Sequence, residues 1–276
     1  MQKSILITGC SSGIGYDAAH ALHKRGYRVF ATCRQELDCE RLRSEGLESF
    51  QLNYADEDSI RQAVKEVLTR TGGTLDALYN NGAYAIPGAT EDLPRDALRA
   101  LFEANLFGQF DLINQVLPAM HNQGHGRIIN CSSVLALVAL RMRGAYCATK
   151  FAMEAMTDAL RYELYDSEIK VISVQPGPIP TKIRENSVPH FEKWINWEDS
   201  AQRKVYEQEV LPRLYGKSTS PDRFELPCSA VTKKLIHALE SPNPKPRYMV
   251  TKATYFAEFM RRFLPKRLLD RIYAGM

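Results

Sequence analysis

The 276-residue sequence has no long hydrophobic run. Its longest apolar-leaning stretch, residues 128–140, is interrupted by Asn130, Ser132 and Ser133. A helix that crosses a bilayer needs about 20 apolar residues, so no transmembrane helix is predicted. The N-terminus contributes only three strongly apolar residues before Thr8. A secretory signal peptide is therefore not expected either.

Cysteine and histidine are few, and neither is arranged as metal ligands are. No C-x-x-C pair occurs, and the histidines at positions 20, 23, 121 and 125 suggest no third ligand. We therefore expect no metal site, and unpaired cysteines in a reducing, cytoplasmic protein. The six cysteines are Cys10, Cys33, Cys39, Cys131, Cys147 and Cys228.

The charge excess is small, with 36 basic and 32 acidic residues and a net charge of +4. That excess is too weak to indicate nucleic-acid binding. It is concentrated in the C-terminal tail, residues 252–276, which holds six basic and two acidic residues. Apolar side chains recur there at roughly helical spacing. This basic amphipathic tail has two interpretations: contact with an anionic membrane surface, or packing over the substrate pocket or a partner subunit.

With 45% hydrophobic and 25% charged residues, the composition is that of a soluble globular protein. Short apolar strands alternate with helices, which predicts an α/β fold: a doubly wound parallel sheet of the Rossmann type in one domain, residues 1–276. Residues 177–226 lack a strand pattern and are expected to form a substrate-binding lid. Strands are predicted at 4–8, 27–33, 49–52, 75–79, 127–131 and 169–175, and helices at 14–25, 36–44, 56–70, 94–120 and 145–165.

A glycine-rich turn joins the first predicted strand to the first helix. Its sequence is Thr8-Gly9-Cys10-Ser11-Ser12-Gly13-Ile14-Gly15. Glycines at such a turn let the backbone approach a pyrophosphate, and the helix N-terminus offers free N–H groups to it. The spacing is G-x-x-x-G-x-G, and the Lys-Ser/Thr ending of a P-loop is missing. The turn indicates dinucleotide binding, against the alternative of an ordinary tight turn.

The end of the second predicted strand indicates which dinucleotide is bound. An acidic residue at this place takes the ribose 2′-hydroxyl of NAD, whereas an arginine accommodates the 2′-phosphate of NADP. Here neutral Cys33 is followed by Arg34. The sequence therefore favours NADP, with a solvated surface arginine as the alternative.

Ser133, Tyr146 and Lys150 together suggest hydride chemistry. Tyr146 and Lys150 lie four residues apart, so they share one face of a predicted helix. A nearby ammonium is expected to lower the pKa of the phenol, which then exchanges a proton with the oxygen of a carbonyl or alcohol. Ser133 ends a strand and can hold that oxygen.

In combination, these motifs are similar to those of the short-chain dehydrogenase/reductases over residues 3–182. Within that family, the motifs most resemble those of the NADP-linked retinol and 17β-hydroxysteroid dehydrogenase-like members and of the bacterial aldehyde reductases. The resemblance implies that Tyr146 is the general acid or base, that Lys150 holds the nicotinamide ribose, and that Ser133 polarises the carbonyl. Asn105 matches a fourth catalytic residue, which anchors a water; a satisfied core amide is the alternative. The implied cofactor contacts further include Asn53, Asn81, Gly82, Pro176, Gly177, Ile179 and Thr181.

Two positions depart from the family pattern. The usual Asn-Asn-Ala-Gly segment reads Asn80-Asn81-Gly82-Ala83. Both exchanged residues are small, so close approach of the backbone to the cofactor is expected to survive, and whether Ala83 adopts the glycine conformation is left open. Asn53 stands where an aspartate usually contacts adenine, and its amide keeps one acceptor and gains a donor. We expect adenine binding to persist, and neither change affects the proton chemistry.

A lipophilic aldehyde or ketone is the expected substrate, because aromatic residues crowd the predicted lid. The alternative is that these aromatic residues pack in the core or at a subunit interface.

Three functions compete. The first is an NADPH-dependent carbonyl reductase, or a retinol- or steroid-type alcohol dehydrogenase working in reverse. The second is a non-catalytic dinucleotide sensor, which would be expected to lack part of Ser133, Tyr146 and Lys150. The third, a peripheral membrane or interaction role of the tail, is compatible with the first. A homodimer or homotetramer is implied through the helices at 94–120 and 145–165. The aromatic residues are Phe191, Trp194, Trp197, Tyr206 and Tyr215.

Overall fold

Seven strands of the computed structural model, which describes residues 2–216 and 222–275, form one parallel sheet. Their order across the sheet is 3-2-1-4-5-6-7, so the direction of winding reverses between the first and fourth strands. Ligands of such sheets bind outside the carboxyl ends of the strands at this reversal. The strands are β1 (Ser4–Thr8), β2 (Arg28–Cys33), β3 (Glu48–Gln51), β4 (Ala77–Asn80), β5 (Gly126–Cys131), β6 (Ile169–Gln175) and β7 (Arg247–Met249).

Helices cover both faces of the sheet. Two of them are continued by π-helical turns, at Glu103–Phe107 and Tyr206–Val210. The helices are α1 (Gly13–Lys24), α2 (Glu36–Ser44), α3 (Glu57–Thr71), α4 (Arg95–Phe102), α5 (Gly108–Gln123), α6 (Gly144–Glu163), α7 (Ile183–Trp194), α8 (Arg203–Val205), α9 (Leu211–Tyr215), α10 (Cys228–Glu240), α11 (Lys252–Phe263) and α12 (Lys266–Ala274).

Alternation along the strands creates two cores. In β1, Ile5 and Ile7 face the core that α1 and α10 cover, whereas Leu6 faces the core shared with α3 and α5. Successive side chains of a strand point to opposite faces of the sheet, so a strand between two helical layers is apolar throughout. All five residues of β1 are buried. Since burial of both faces fixes the register, the strand ends that form the ligand crevice are fixed too.

The predicted Rossmann-type fold is confirmed, and the six predicted strands are present within a few residues of their expected ends. Asp56 caps the third helix, because its side chain accepts hydrogen bonds from the N–H groups of Asp58 and Ser59. The helix predicted at 94–120 contains the π-helical turn Glu103–Phe107. β7 and α10 had not been predicted.

The C-terminal tail forms α11 and α12, which are separated at Pro265. One side of α11 packs on the protein: Ala257 belongs to a small apolar cluster with Leu137 and Val138, which follow Ser133 by four and five residues. The opposite side of α11 is exposed. Packing beside the cleft therefore accounts for one face of the tail only. Within residues 2–216 and 222–275, no helix is long and apolar enough to cross a membrane.

Candidate active site

A cleft of about 2570 Å³ opens at the carboxyl ends of the strands. Nearly all the residues singled out from the sequence line it. Gly15 and Asn105 are absent from the lining, and both are buried beside it. The singled-out residues that line the cleft are Gly9, Ser11, Ser12, Gly13, Ile14, Arg34, Asn53, Asn81, Gly82, Ser133, Tyr146, Lys150, Pro176, Gly177, Ile179 and Thr181.

The glycine-rich turn brings two backbone segments together at one end of the cleft. Gly9 has a φ of +68°, and a Cβ atom there would lie 2.6 Å from the Cα of Gly82. Asn81 fixes this approach, because its Nδ2 donates to the carbonyl oxygens of Thr8 at 3.1 Å and Gly9 at 3.3 Å. At the start of α1, the N-cap Ser12 makes no side-chain cap hydrogen bond. First-turn N–H groups therefore stay available to an anion.

The structure settles how the two departures from the family pattern are accommodated. Among the described residues, Met142 and Phe224 are the non-glycine residues with positive φ, so Ala83 adopts an ordinary backbone conformation. The Oδ1 of Asn53 accepts a hydrogen bond from the N–H of Ala55 at 3.2 Å, while Asn53 still lines the cleft. Both replacements therefore fit without strain.

A buried polar chain beneath the cleft was not predicted. The Tyr54 hydroxyl lies 2.6 Å from the Thr8 Oγ1 and donates to the Asn80 Oδ1 at 2.7 Å. Asn80 donates to the Asn130 Oδ1 at 3.1 Å, and Asn130 donates to the Thr157 Oγ1 at 2.9 Å. Polar residues at the carboxyl ends of β1, β4 and β5 were the available signal. The chain ties these strand ends together, because buried polar groups need partners.

Arg34 follows β2 directly and lines the cleft. Across residues 2–216 and 222–275, no ion pair engages its guanidinium group. The preceding Cys33 is buried and uncharged, since burial raises the pKa of its thiol. Asp38 also lines this part of the cleft, and Arg41 holds its carboxylate at 3.2 Å. The local charge therefore suits an anion.

Ser133, Tyr146 and Lys150 meet near the middle of the cleft. Ser133 follows β5, and its Oγ accepts a hydrogen bond from the N–H of Leu135 at 3.1 Å. Tyr146 and Lys150 lie on the inner face of α6, with the Lys150 Nζ 5.7 Å from the centre of the phenol ring. Lys150 is buried, and its Nζ donates to the carbonyl oxygen of Cys131 at 2.8 Å. Its other N–H groups can serve a ligand.

The electrostatics of this group differ from the sequence expectation. Burial raises the pKa of the Tyr146 phenol, the Cys131 thiol adds to that rise, and a hydrogen bond with Ser133 opposes it. Ser133, rather than Lys150, is thus the group that lowers the phenol pKa here. Burial lowers the pKa of Lys150 to about 8, against the opposing effects of Cys131 and Glu154. The phenol is a neutral acid near neutral pH.

Asn105 is buried within the π-helical turn Glu103–Phe107. Its Oδ1 accepts from the N–H of Tyr84 at 3.1 Å, and its Nδ2 donates to the carbonyl oxygen of Tyr84 at 2.8 Å. The same Nδ2 lies 3.4 Å from the Thr149 Oγ1 on α6. The amide therefore links the segment after β4 to the helix that carries Tyr146. π-Helical turns are frequent at functional sites.

Most of the predicted lid aromatics do not reach the cleft. Phe191, Trp194, Trp197 and Tyr206 pack into a separate apolar cluster. Tyr206 is fully buried, accepts from the N–H of Ala89 at 2.8 Å and donates to Asp92 at 2.7 Å. Of the five, Tyr215 lines the cleft. The prediction that these aromatics form the substrate pocket is wrong for the other four, because they pack in a core shared with the segment after β4, with α4 and with the start of α6.

The apolar wall of the cleft comes instead from other segments. Part of it is the apolar stretch after Ser133. No group of three or more histidine, cysteine, aspartate or glutamate side chains that could hold a metal ion occurs in the described part of the chain. The apolar lining includes Tyr84, Val134, Leu135, Leu140, Met142, Pro189, Leu214 and Tyr215.

The fold and the cleft identify the class of protein. The family model for short chain dehydrogenases matches residues 3–191. The chain belongs to the short-chain dehydrogenase/reductase family and is an oxidoreductase that acts on CH–OH or carbonyl groups.

Particular relatives agree over the full length. The chain is 38% identical to the uncharacterized oxidoreductase YbbO of Escherichia coli K12, over 100% of this chain and 95% of that protein. It is 30% identical to mouse retinol dehydrogenase 16, covering 98% and 87% of the two chains. A short-chain dehydrogenase from Streptomyces avermitilis superposes with a TM-score of 0.78 at 25% identity, covering 99% and 94%.

Proposed function

We propose that the protein reduces a lipophilic aldehyde or ketone with NADPH, or oxidises the corresponding alcohol with NADP. The observation that carries this proposal is the placement of Ser133, Tyr146 and Lys150 along one cleft that also contains the glycine-rich turn. The apolar lining supports a lipophilic substrate. A retinol- or steroid-type dehydrogenase working in the oxidative direction is the alternative, favoured by the similarity to retinol dehydrogenase 16.

The cleft fits a nicotinamide dinucleotide, the cofactor bound by solved proteins of this fold. Free N–H groups at the start of α1 would hold the pyrophosphate, and Arg34 would hold a 2′-phosphate. Buried Lys150 has N–H groups left for a ribose hydroxyl. When bound, the cofactor supplies or accepts a hydride at the substrate carbon. Pro176, Gly177, Ile179 and Thr181 would contact the nicotinamide end.

The side chains of the cleft supply the proton chemistry. The Ser133 Oγ accepts from Leu135, and its O–H, which lies beside the Tyr146 phenol, would donate to a bound carbonyl oxygen. Tyr146 then gives its phenolic proton to the alkoxide that reduction creates, and takes it back in oxidation. Asn105 holds Tyr84 and α6 in place beside this group, and its proposed role in anchoring a water stays a prediction.

The pH dependence follows from the phenol. Oxidation requires the phenolate form of Tyr146, and burial raises the pKa of this group. At pH values below that pKa, the phenolate fraction grows about tenfold per pH unit. We expect kcat/KM for alcohol oxidation to rise between about pH 6 and 8, while kcat/KM for reduction stays flat below the pKa of Lys150, which is about 8. Initial rates in both directions test this, and an oxidation rate that falls with pH would contradict it.

A screen of purified protein for NADPH oxidation tests the proposed activity. The carbonyl panel spans aliphatic, aromatic, retinoid and steroid compounds, and a matched alcohol panel with NADP covers the reverse direction. Turnover of at least one lipophilic compound is expected. A non-catalytic dinucleotide sensor would instead bind NADPH and turn over nothing in either panel.

The exposed face of α11 supports a second property of the tail. Tyr255, Phe256, Phe259 and Phe263 are 50%, 55%, 56% and 64% exposed, although aromatic side chains normally seek burial. Three of the six basic residues of the tail lie on α11 itself, and the other three lie on α12. A second copy of the same face would bring like charges together. We infer that an anionic membrane surface covers it, as for interfacial amphipathic helices.

Vesicle sedimentation tests the tail. We expect the full-length protein to sediment with phosphatidylglycerol vesicles but not with phosphatidylcholine vesicles. Phe259→Ser combined with Phe263→Ser should abolish sedimentation while the fold persists, since both rings are exposed. Leu37→Ser is the matched control, because this exposed leucine lies on α2. Sedimentation that is absent with both vesicle types would refute the membrane contact.

We further propose a cytoplasmic homodimer or homotetramer. Exposed apolar side chains lie on the two helical regions expected at the interface: Phe107 beside α5, and Phe151 and Met156 on α6. Light scattering of the purified protein should give a mass of two or four times 31.3 kDa. A monomer at micromolar concentration would contradict this assembly.

A further inference from the structure

One arginine of the cleft lies directly before the helix that carries Tyr146. Arg143 immediately precedes α6, three residues before Tyr146, and lines the cleft. In the described ranges 2–216 and 222–275, its guanidinium group forms neither a hydrogen bond nor an ion pair. Arginine side chains inside proteins are normally paired, because desolvating a guanidinium group is costly. An unpaired one at a binding cleft points to an absent anionic ligand.

The neighbouring charges strengthen this conclusion. Burial lowers the pKa of Arg143, and the positive charges of Arg213 and Arg184 lower it further. Both of those arginines share a single carboxylate: Asp222 lies 2.9 Å from Arg213 and 3.4 Å from Arg184. Two guanidinium groups therefore share one acid, and Arg143 lies within the electrostatic range of both arginines.

The wider lining does not compensate for this excess. Apart from Lys150, the described residues after position 140 place six cationic and four anionic side chains on the cleft. Glu209, one of those acids, lies 3.8 Å from Arg141. Those ten residues are Arg141, Arg143, Lys182, Arg184, Glu185, Glu209, Arg213, Asp222, Arg223 and Glu225.

The backbone holds Arg143 in position at some cost. Met142, the preceding residue, has a φ of 58°, which is unusual for a residue with a side chain. Its carbonyl oxygen accepts a hydrogen bond from the N–H of Gly88 at 3.0 Å, which ties the turn to the segment after β4. Strained backbone of this kind persists where the surrounding structure enforces it, and it is concentrated at ligand sites.

We propose that Arg143, assisted by Arg184, binds a carboxylate group of the substrate. This rests on the proposed function and refines it: the substrate is an apolar oxo acid or the matching hydroxy acid. The fork of a guanidinium group matches a carboxylate with two parallel hydrogen bonds. Since Arg143 lies one helical turn from Tyr146, the carboxylate is only a few bonds away from the reacting carbonyl. A substrate whose anionic group is a phosphate many bonds away from the carbonyl would not fit this short distance.

The test compares a series of medium-chain oxo acids with their methyl esters, which keep the carbonyl and lose the charge. We expect the wild-type protein to favour the acid at least tenfold in kcat/KM. Arg143→Ala should lower kcat/KM for the acid about 10- to 100-fold and leave the ester unchanged. Arg143→Lys should recover part of the loss. Arg99→Ala, an exposed arginine on α4 outside the cleft, is the matched control.

The proposal would be overturned if the wild-type protein had equal kcat/KM for acid and ester. It would also be overturned if Arg143→Ala lowered kcat/KM equally for both. Arg143→Gln provides a second neutral variant if the alanine variant does not fold. Binding is measured separately as the rise in melting temperature that the acid causes in the presence of NADPH. A rise in melting temperature that is seen in wild type and lost in Arg143→Gln supports the carboxylate site even if no turnover is found. In that case the proposed reaction is refuted and the proposed binding site is not. A rise that is absent from wild type, or equal in both proteins, refutes the site.

Discussion

Replacing Tyr146 with phenylalanine is expected to lower kcat for carbonyl reduction by about 10²- to 10⁴-fold, the usual contribution of a positioned proton donor. The phenol is the neutral acid beside Ser133, where it would donate its proton to the substrate oxygen. The ring itself remains, so the apolar packing of α6 is preserved. Initial rates of NADPH oxidation measure the loss.

Two controls make this result specific. NADPH binding, followed by fluorescence, should be nearly unchanged, because the variant keeps Lys150 and the glycine-rich turn. Tyr162→Phe removes a hydroxyl from the same helix at an exposed position and should leave kcat unchanged. Activity retained in Tyr146→Phe would remove Tyr146 from the proposed mechanism.

The second large effect concerns Arg34. Arg34→Ala is expected to raise KM for NADPH about 10- to 100-fold and to leave KM for NADH nearly unchanged. A hydrogen bond to a charged group contributes about 1.5–3 kcal/mol, which corresponds to this range. Steady-state kinetics with both cofactors measure the change.

Cys33→Asp tests the same end of the cleft from the opposite side. A carboxylate at this buried position would repel a 2′-phosphate and could accept a hydrogen bond from a ribose hydroxyl. The preference should therefore move toward NADH. Arg61→Ala, an exposed arginine on α3, serves as the control and should change neither KM. Equal kcat/KM for NADPH and NADH in the wild-type protein would contradict the proposed preference.

The sheet could be predicted because its determinants are local. Ile5, Leu6 and Ile7 are apolar in succession, which indicates a strand buried on both faces, and Asp56 marks a helix start by its own side chain. The glycine-rich turn and the Tyr146 and Lys150 spacing are also local patterns. Each of these features is encoded within a few consecutive residues, and their order along the chain gives the topology.

Features set by distant contacts were missed or misjudged. The lid aromatics are alike in sequence, but Tyr206 is buried through Ala89 and Asp92, which are more than a hundred residues away. Asn105, in the π-helical turn, bonds to the backbone of Tyr84, 21 residues away. Among the described residues, Asp222 pairs with Arg184 and Arg213 and not with Arg143. Spacing alone carries no signal for any of these.

The pKa of Tyr146 shows the same limit. The helical spacing brings Lys150 close to the phenol, but burial depends on the whole fold, and it dominates the electrostatics of both groups. A neutral phenol and a lysine with a pKa of about 8 suit a site that donates a proton during reduction.

Transfer of deuterium tests the proposed reaction most directly. NADPH labelled with deuterium at the nicotinamide carbon C4 is incubated with the protein and a carbonyl substrate from the screen, and the alcohol is analysed by mass spectrometry. If the label is on the face of the nicotinamide ring that donates the hydride, hydride transfer predicts an alcohol with one deuterium on the carbon that bears the hydroxyl. Alcohol without deuterium from both C4-labelled stereoisomers of NADPH would contradict the proposal.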